Sequence, residues 1–299
     1  QKLSPIGLVL SVLLLVLPLV PGMGDRAGGA TRWVNLGILR FQPGEFVKLS
    51  FVVFLAGYFF RHEEKIPGFL WGMFKPLFFA AIVALLYLLQ PDFGSAAVLM
   101  VVTLAMALAA GVRLRYIMIC GVLSLFALGA LIFISPYRMA RVTSFLSPWE
   151  DPSGKGYQLI QSLIAVGSGQ WTGVGLGSSQ QKLFFLPAAH TDFIFSVIGE
   201  ELGFVGSTVL ILAFLYFLYR GLKLAGSVAG DTFSYTLAVG LTSLIALPAL
   251  LNVGVAIGVL PTKGMVLPLV GYGGSSLLVC LMAVGILLAI WRDNLRGLR

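Results

Sequence analysis

The residues best suited to chemistry stand in LPAAHTDFIF (186–195), where His190 and Asp192 come just before a long apolar run. A carboxylate at such a membrane-water boundary costs free energy unless it is used or paired. Two readings stand for Asp192: a group with a catalytic task, or, with Thr191, the N-cap of the helix that follows, a position both residue types favour. His190 is open in the same way, as a hydrogen-bonded structural histidine or a proton carrier. Glu200 and Glu201 lie one to two turns further into the apolar run. At least one is expected to face the bundle interior or a wet cavity, and one to pair with an arginine. Arg138 and Arg141 are three residues apart, which on a helix presents two guanidinium groups on one side, toward phosphate, carboxylate or lipid headgroups. Lys263 in GVLPTKG (258–264), Arg32 beside Trp33 in RWVNLG (32–37), and Lys48, soon after a helix start at Pro43 to Glu45, add further cations. Together they could bind a diphosphate. Asp92 in QPDFG (90–94) follows a proline and precedes an apolar run, which reads as a helix cap or a structural ion pair.

Apolar helices have to position these groups. Of 299 residues, 58% are hydrophobic and 11% charged, with a mean hydropathy of +0.97, whereas a soluble domain carries about 25% charge. Such a chain cannot solvate its surface in water. Apolar runs close to the roughly 20 residues needed to cross a bilayer recur throughout. They fall at about 5–21, 45–60, 75–90, 94–111, 115–135, 196–219, 233–257 and 272–291. The fold class expected is all-α: a polytopic transmembrane helical bundle of eight spans, one domain over 1–299. A β-barrel would need short segments of alternating polarity, and these runs are continuously apolar.

Eight spans put both termini on one side. The short-loop basic residues concentrate on that side, among them Arg61, Lys65, Lys75, Arg113, Arg115, Arg220 and Lys223, so the termini are expected in the cytoplasm. Residues 136–195 then form a large extracytoplasmic loop. The net charge of +8 is assigned to orientation signals and lipid phosphates rather than to nucleic acid. Cys120 and Cys280 lie in apolar stretches without metal-ligand spacing and read as small core residues. No cleavable signal peptide is expected, because the first apolar run leads directly to further spans. Gly173, Gly175 and Gly177 lack the strand and spacing of a dinucleotide loop and read as a flexible turn. GYGGSS (271–276) reads as a tight turn into the last helix. No Walker sequence, HExxH or Asp-x-Asp pair is present, which disfavours a nucleotide-sugar donor.

Eight segments carry a resemblance. In order, RWVNLG, FQPGEFVKLS (41–50), QPDFG, ARVTSFLSPWEDP (140–152), GYQLIQS (156–162), LPAAHTDFIF, NVGVAIGVLPTKG (252–264) and LPLVGYGGSS (267–276) resemble the SEDS family of bacterial cell-wall polymerases. The resemblance covers essentially the whole chain. Thr-Lys-Gly and PWEDP look like its division-type, FtsW-like branch rather than the elongation-type, RodA-like one. The resemblance implies ten transmembrane helices, with the first span here matching the family's third, so that two helices would precede this chain and the in/out assignment is unchanged.

It also implies an activity: a glycosyltransferase of the inner membrane at the division septum, polymerising lipid II (undecaprenyl-pyrophosphate-linked GlcNAc-MurNAc-peptide) into glycan strands. Partners implied are a class B penicillin-binding protein acting as transpeptidase and other division-complex membrane proteins. Asp192 matches the family's essential aspartate and becomes the candidate general base. Lys263, Arg138, Arg141, Arg32 and Lys48, in that order, are candidates for the diphosphate, with Trp33, His190, Glu200 and Glu201 in support. A divalent cation such as Mg2+ or Mn2+ could assist the diphosphate, although no metal site is legible. The family usually has Glu where this chain has Ala188, so one acidic contact near the site is missing. Two alternatives remain at this stage: a lipid II flippase, against which the nearly charge-free mid-span regions argue, and a non-enzymatic division scaffold.

Overall fold

The computed structural model describes residues 4–20, 23–27, 30–35, 40–262 and 264–297, and these are mostly helical. Each of the eight apolar runs becomes a helix, because a backbone without water must satisfy its own N–H and C=O groups. These are α1 (Ser4–Val16), α2 (Pro43–Arg61), α3 (Lys75–Leu89), α4 (Phe93–Ala109), α5 (Leu114–Ile134), α8 (Ile194–Ser227), α9 (Thr232–Ala256) and α10 (Gly274–Leu295). Six are long and apolar enough to cross a membrane: α2, α5, α8, α9, α10, and α3 with the π-helical turn Leu70–Phe74 before it. The other two, Ser4–Leu19 and Phe93–Ala109, are shorter. Cys120 and Cys280 are both buried, as expected of core residues.

The chain is mostly helical, as the all-α expectation has it, with one small sheet that the expectation did not include. A three-stranded antiparallel sheet, β1 (Gly24–Ala27), β2 (Ala30–Asn35) and β3 (Arg40–Phe41), lies between α1 and α2, in the order β1-β2-β3. Trp33 and Val34 belong to the aromatic and β-branched types that fit a pleated surface, and Val34 pairs with both Gly24 and Phe41. Two further helices, α6 (Pro136–Leu146) and α7 (Tyr157–Ser168), occupy much of 136–195.

Two compact units form. The first comprises Gln1–Leu125, Leu218–Ile245 and Gly274–Arg299. Within it α1 packs on α2 and α3 on α4. The buried Tyr87 hydroxyl donates to the Gly44 carbonyl at 2.6 Å, and the buried Gln90 amide donates to the Leu15 carbonyl at 2.5 Å. Asp92 caps α4, accepting from the Ser95 amide (3.1 Å) and hydroxyl (2.8 Å), and faces Arg32 at 3.9 Å, so both readings of that aspartate hold at once. GYGGSS does lead directly into α10, and Ser275 there accepts from the Gln42 amide at 2.9 Å.

The second unit comprises Phe126–Phe217 and Ala246–Gly273. Its framework is α8 as far as Phe217 and α9 from Ala246 onward, joined by a core of Phe195, Phe214, Ala249, Val253, Ala256 and Leu267. The Ser162 hydroxyl of α7 bonds Ser196 at 2.6 Å and the Ala256 carbonyl at 2.7 Å, tying three helices with one buried group.

α8 is broken at Gly203, which has φ 65 and ψ −161. Residues 170–175 repair the break. The amides of Val174 and Gly175 donate to the carbonyls of Glu200 (3.0 Å) and Glu201 (3.1 Å), while those of Phe204 and Val205 donate to the carbonyls of Gln170 (2.7 Å) and Trp171 (3.1 Å). An unbroken helix would have joined these four α8 groups to one another. The glycine turn thus becomes a strap: Gly173 and Gly175 have φ of 82 and 105, and a Cβ at Gly173 would collide with the Glu201 carbonyl. Because the backbone of Gly203 lies in a region essentially confined to glycine, Gly203→Ala is expected to cost about 1–3 kcal/mol. Thermal unfolding of the detergent-solubilised protein measures this loss.

Candidate functional site

Asp192 sits in a turn immediately before α8. Ala188 adopts φ 56, and its carbonyl accepts from the amides of Thr191 (3.1 Å), Asp192 (3.1 Å) and Phe193 (3.3 Å). The Thr191 hydroxyl donates to the same oxygen at 3.2 Å. Leu186, Ala189, Phe193, Val197 and Val255 form the buried apolar floor of this turn. The strands of sequence around it are therefore held by packing below and by one shared carbonyl above.

A second stretch lies against the first. A Cβ on Gly264 would stand 3.2 Å from Asp192 Oδ2, so the absence of a side chain there leaves the carboxylate its space. Asn252 of α9, 3% exposed, donates through Nδ2 to the carbonyls of both Asp192 and Met265, each at 2.7 Å. The Tyr272 amide donates to the His190 carbonyl at 2.9 Å, while the His190 side chain is exposed. Arg141 of α6 donates to the Thr262 carbonyl at 3.4 Å. One unit thus brings together Asp192, Asn252, Thr262, Gly264 and Arg141. Lys263 lies outside the described residues.

The remaining candidates have other surroundings. Arg138 reaches back to the Leu131 carbonyl of α5 at 2.8 Å, a familiar use of arginine near a helix C-terminus. Glu200, 4% exposed, accepts from the Ser179 hydroxyl and from the Gln180 amide at 3.0 Å. Glu201 pairs with Lys182 at 2.8 Å, so its cation is a lysine and not the arginine expected. Both glutamates hold the segment entering the π-helical turn Gln181–Phe185. Arg32, Trp33 and Lys48 belong to the other unit. Arg32 donates to the Pro91 carbonyl at 2.5 Å, Trp33 is partly buried on β2, and Lys48, 8% exposed, is ion-paired with Glu45 at 2.8 Å. Lys48 is thereby neutralised within its own helix. Among the described residues no group of three or more His, Cys, Asp or Glu could hold a metal ion.

The cell-cycle protein family FtsW/RodA/SpoVE has a model that matches residues 1–295 of this chain. The chain belongs to that family. Among this family's curated members, the probable peptidoglycan glycosyltransferase FtsW of Thioalkalivibrio sulfidiphilus is 48% identical over 287 residues, covering 95% of this chain and 72% of the relative. A solved structure described as "Structural coordination of polymerization and crosslinking by a peptidoglycan synthase complex" matches with a TM-score of 0.78 and 31% identity, covering 98% of this chain and 82% of that one. The rod shape determining protein RodA of Thermus thermophilus matches with a TM-score of 0.68 and 30% identity, over 98% of this chain and 79% of its own.

Sequence reasoning missed Asn252 and Gly264 as residues of this candidate site. An asparagine inside an apolar helix was the available signal, since a buried amide has to find partners. Asn252→Ala strips the shared donor from two carbonyls, and leaving buried acceptors unmet costs about 1–3 kcal/mol each. A lowered unfolding temperature of the purified protein, with Asn252→Ser losing less than Asn252→Ala, is the expected outcome.

Proposed function

We propose that this chain is a peptidoglycan glycosyltransferase that polymerises lipid II, undecaprenyl-pyrophosphate-linked GlcNAc-MurNAc-peptide, into glycan strands, with Asp192 as general base. The observation that carries the site assignment is the seating of the Asp192 carboxylate against Gly264, on the same short stretch whose Thr262 carbonyl binds Arg141. A transferase of this kind needs a base and a cation within reach of one anomeric centre.

The acceptor's GlcNAc 4-hydroxyl attacks the anomeric carbon of the donor. A carbon-oxygen bond forms as the bond to the diphosphate oxygen breaks, the hydroxyl proton passes to Asp192, and the diphosphate leaves with the electron pair. A well-placed base contributes roughly 10²–10⁴-fold. Cations directed at the diphosphate stabilise charge that grows in the transition state. Arg141 leads the described candidates and Lys263 adjoins the same stretch in sequence. Arg138, on the same helix as Arg141, follows. His190 flanks the Asp192 turn, Glu200 and Glu201 support it by anchoring the segment that leads to that turn, and a single displacement inverts the anomeric carbon. A divalent cation such as Mg2+ or Mn2+ could share the diphosphate charge.

The chain is an inner-membrane protein of apolar helices. On our reading it is one transmembrane domain that crosses the bilayer eight times, with both termini cytoplasmic and residues 136–195 on the extracytoplasmic face. It works at the division septum with a class B penicillin-binding protein and uses lipid II delivered at that face.

Polymer formation from lipid II by the protein with its presumed partner, transpeptidase blocked, tests this reading. Asp192→Asn keeps shape and removes the base, so a folded, partner-binding variant is expected to lose at least about 10²-fold in rate. Equal polymer from both proteins would remove Asp192 from the mechanism. No polymer from either would favour a flippase or a scaffold.

A further inference from the structure

We propose that the groove between α2 and α3 binds an anionic phospholipid of the surrounding bilayer, its phosphate between Lys65 and Lys75 and an acyl chain along the aromatic walls. Two stripes line the groove. Phe54, Tyr58 and His62 recur every four residues along α2 and its end, opposite Trp71, Phe74, Lys75, Phe78 and Phe79. The cavity is about 500 Å3, within the roughly 300–1,000 Å3 common for ligand sites. Phe54 and Tyr58 are buried and form its floor, whereas Phe74 and Phe78 are half-exposed on a helix long and apolar enough to cross a membrane. The eight residue steps from Phe54 to His62 rise about 12 Å, a length suited to part of an acyl chain.

The polar end is built around one indole. Lys75 Nζ stands 3.0 Å and Lys65 Nζ 4.8 Å from the Trp71 ring centroid, and His62 stacks on the same ring at 4.7 Å. Trp71 is held by the Tyr58 hydroxyl, which donates to its carbonyl at 2.9 Å, and lies in the π-helical turn Leu70–Phe74. Such turns are frequent at functional sites. Among the described residues neither lysine makes an ion pair. Of the two carboxylates on the connecting turn, Glu63 accepts from the Thr232 hydroxyl at 2.6 Å and Glu64 is exposed.

Two ammonium groups beside one ring repel each other, and a single phosphate diester between them offsets that repulsion. A purely anionic solute would leave the phenylalanine walls wet, and an apolar one would leave the lysines unmatched. An anionic amphiphile satisfies both ends, in keeping with basic pockets between membrane helices that take lipid headgroups. A zwitterionic choline lipid is disfavoured, because its own ammonium group would compete with the lysines.

Brominated acyl chains quench tryptophan on contact, so the test uses nanodiscs of the full chain doped with brominated phosphatidylglycerol or brominated phosphatidylcholine. The Trp71 contribution is the difference between wild type and Trp71→Phe. We expect Trp71 quenching at a lower fraction of phosphatidylglycerol than of phosphatidylcholine. Lys65→Gln with Lys75→Gln should raise the phosphatidylglycerol fraction needed by roughly ten- to thirty-fold, at about 1 kcal/mol per cation, and leave phosphatidylcholine unchanged. Lys65→Gln alone, at an exposed position, should raise it about five-fold and serves if the double variant misfolds. Equal quenching by the two lipids, or no change in either variant, would overturn the proposal. Relief of quenching by undecaprenyl phosphate but not by unlabelled phosphatidylglycerol would overturn it too, and would give the groove to a polyprenyl lipid.

Discussion

Every backbone N–H and C=O in apolar surroundings must find a partner within the protein, and the architecture around Asp192 rests on how α8 meets that demand. The helix breaks at Gly203 and would leave two amides and two carbonyls unmet. The strap at 170–175 supplies all four partners. Gly173 and Gly175 both hold positive φ, and at Gly173 only glycine lets the strap backbone come this close to the Glu201 carbonyl. Glu200 and Glu201 sit just before the break, and their side chains fasten the next segment through Ser179, Gln180 and Lys182. Backbone and side chains of the same two residues therefore anchor the chain that leads to the Asp192 turn.

That turn repeats the same economy on a smaller scale. One carbonyl, that of Ala188, accepts three successive amides, which leaves Asp192 in a tight bend and its carboxylate beside Gly264. Asn252 then joins this bend to the 262–265 stretch by donating to a carbonyl on each. The main chain that carries the carboxylate is thus held at both its amide and its carbonyl, and a group held on a fixed backbone loses less freedom on meeting a ligand. The contact that holds the bend is the carbonyl of Ala188, which any residue type supplies.

Composition and hydropathy sufficed for the membrane class, and the eight apolar runs for the eight helices, because continuous apolar sequence in lipid has no alternative to helix. The start of α2 at Pro43, the capping by Asp92 and the turn before α10 were legible for local reasons: a proline, an aspartate and a glycine run each act on their immediate neighbours. The sheet at 24–41 was not, since its strands are short and one pairing has an irregularity between Asp25 and Arg26. The candidate site was legible as a set of residue types in a recognisable order, above all Asp192, but not as a set of contacts.

What the sequence determined by itself, then, is whatever depends on residue type and near neighbours: membrane residence, helix positions, family, and the aspartate at a helix start. The tertiary structure decided which charges are already committed. Glu201 is matched by Lys182, 19 positions away, rather than by an arginine, and Arg141 meets Thr262 across 121 positions of chain. The physical reason is range. Capping and helix propensity act over a turn or less, whereas an ion pair or a shared amide joins atoms that only folding brings within about 3 Å.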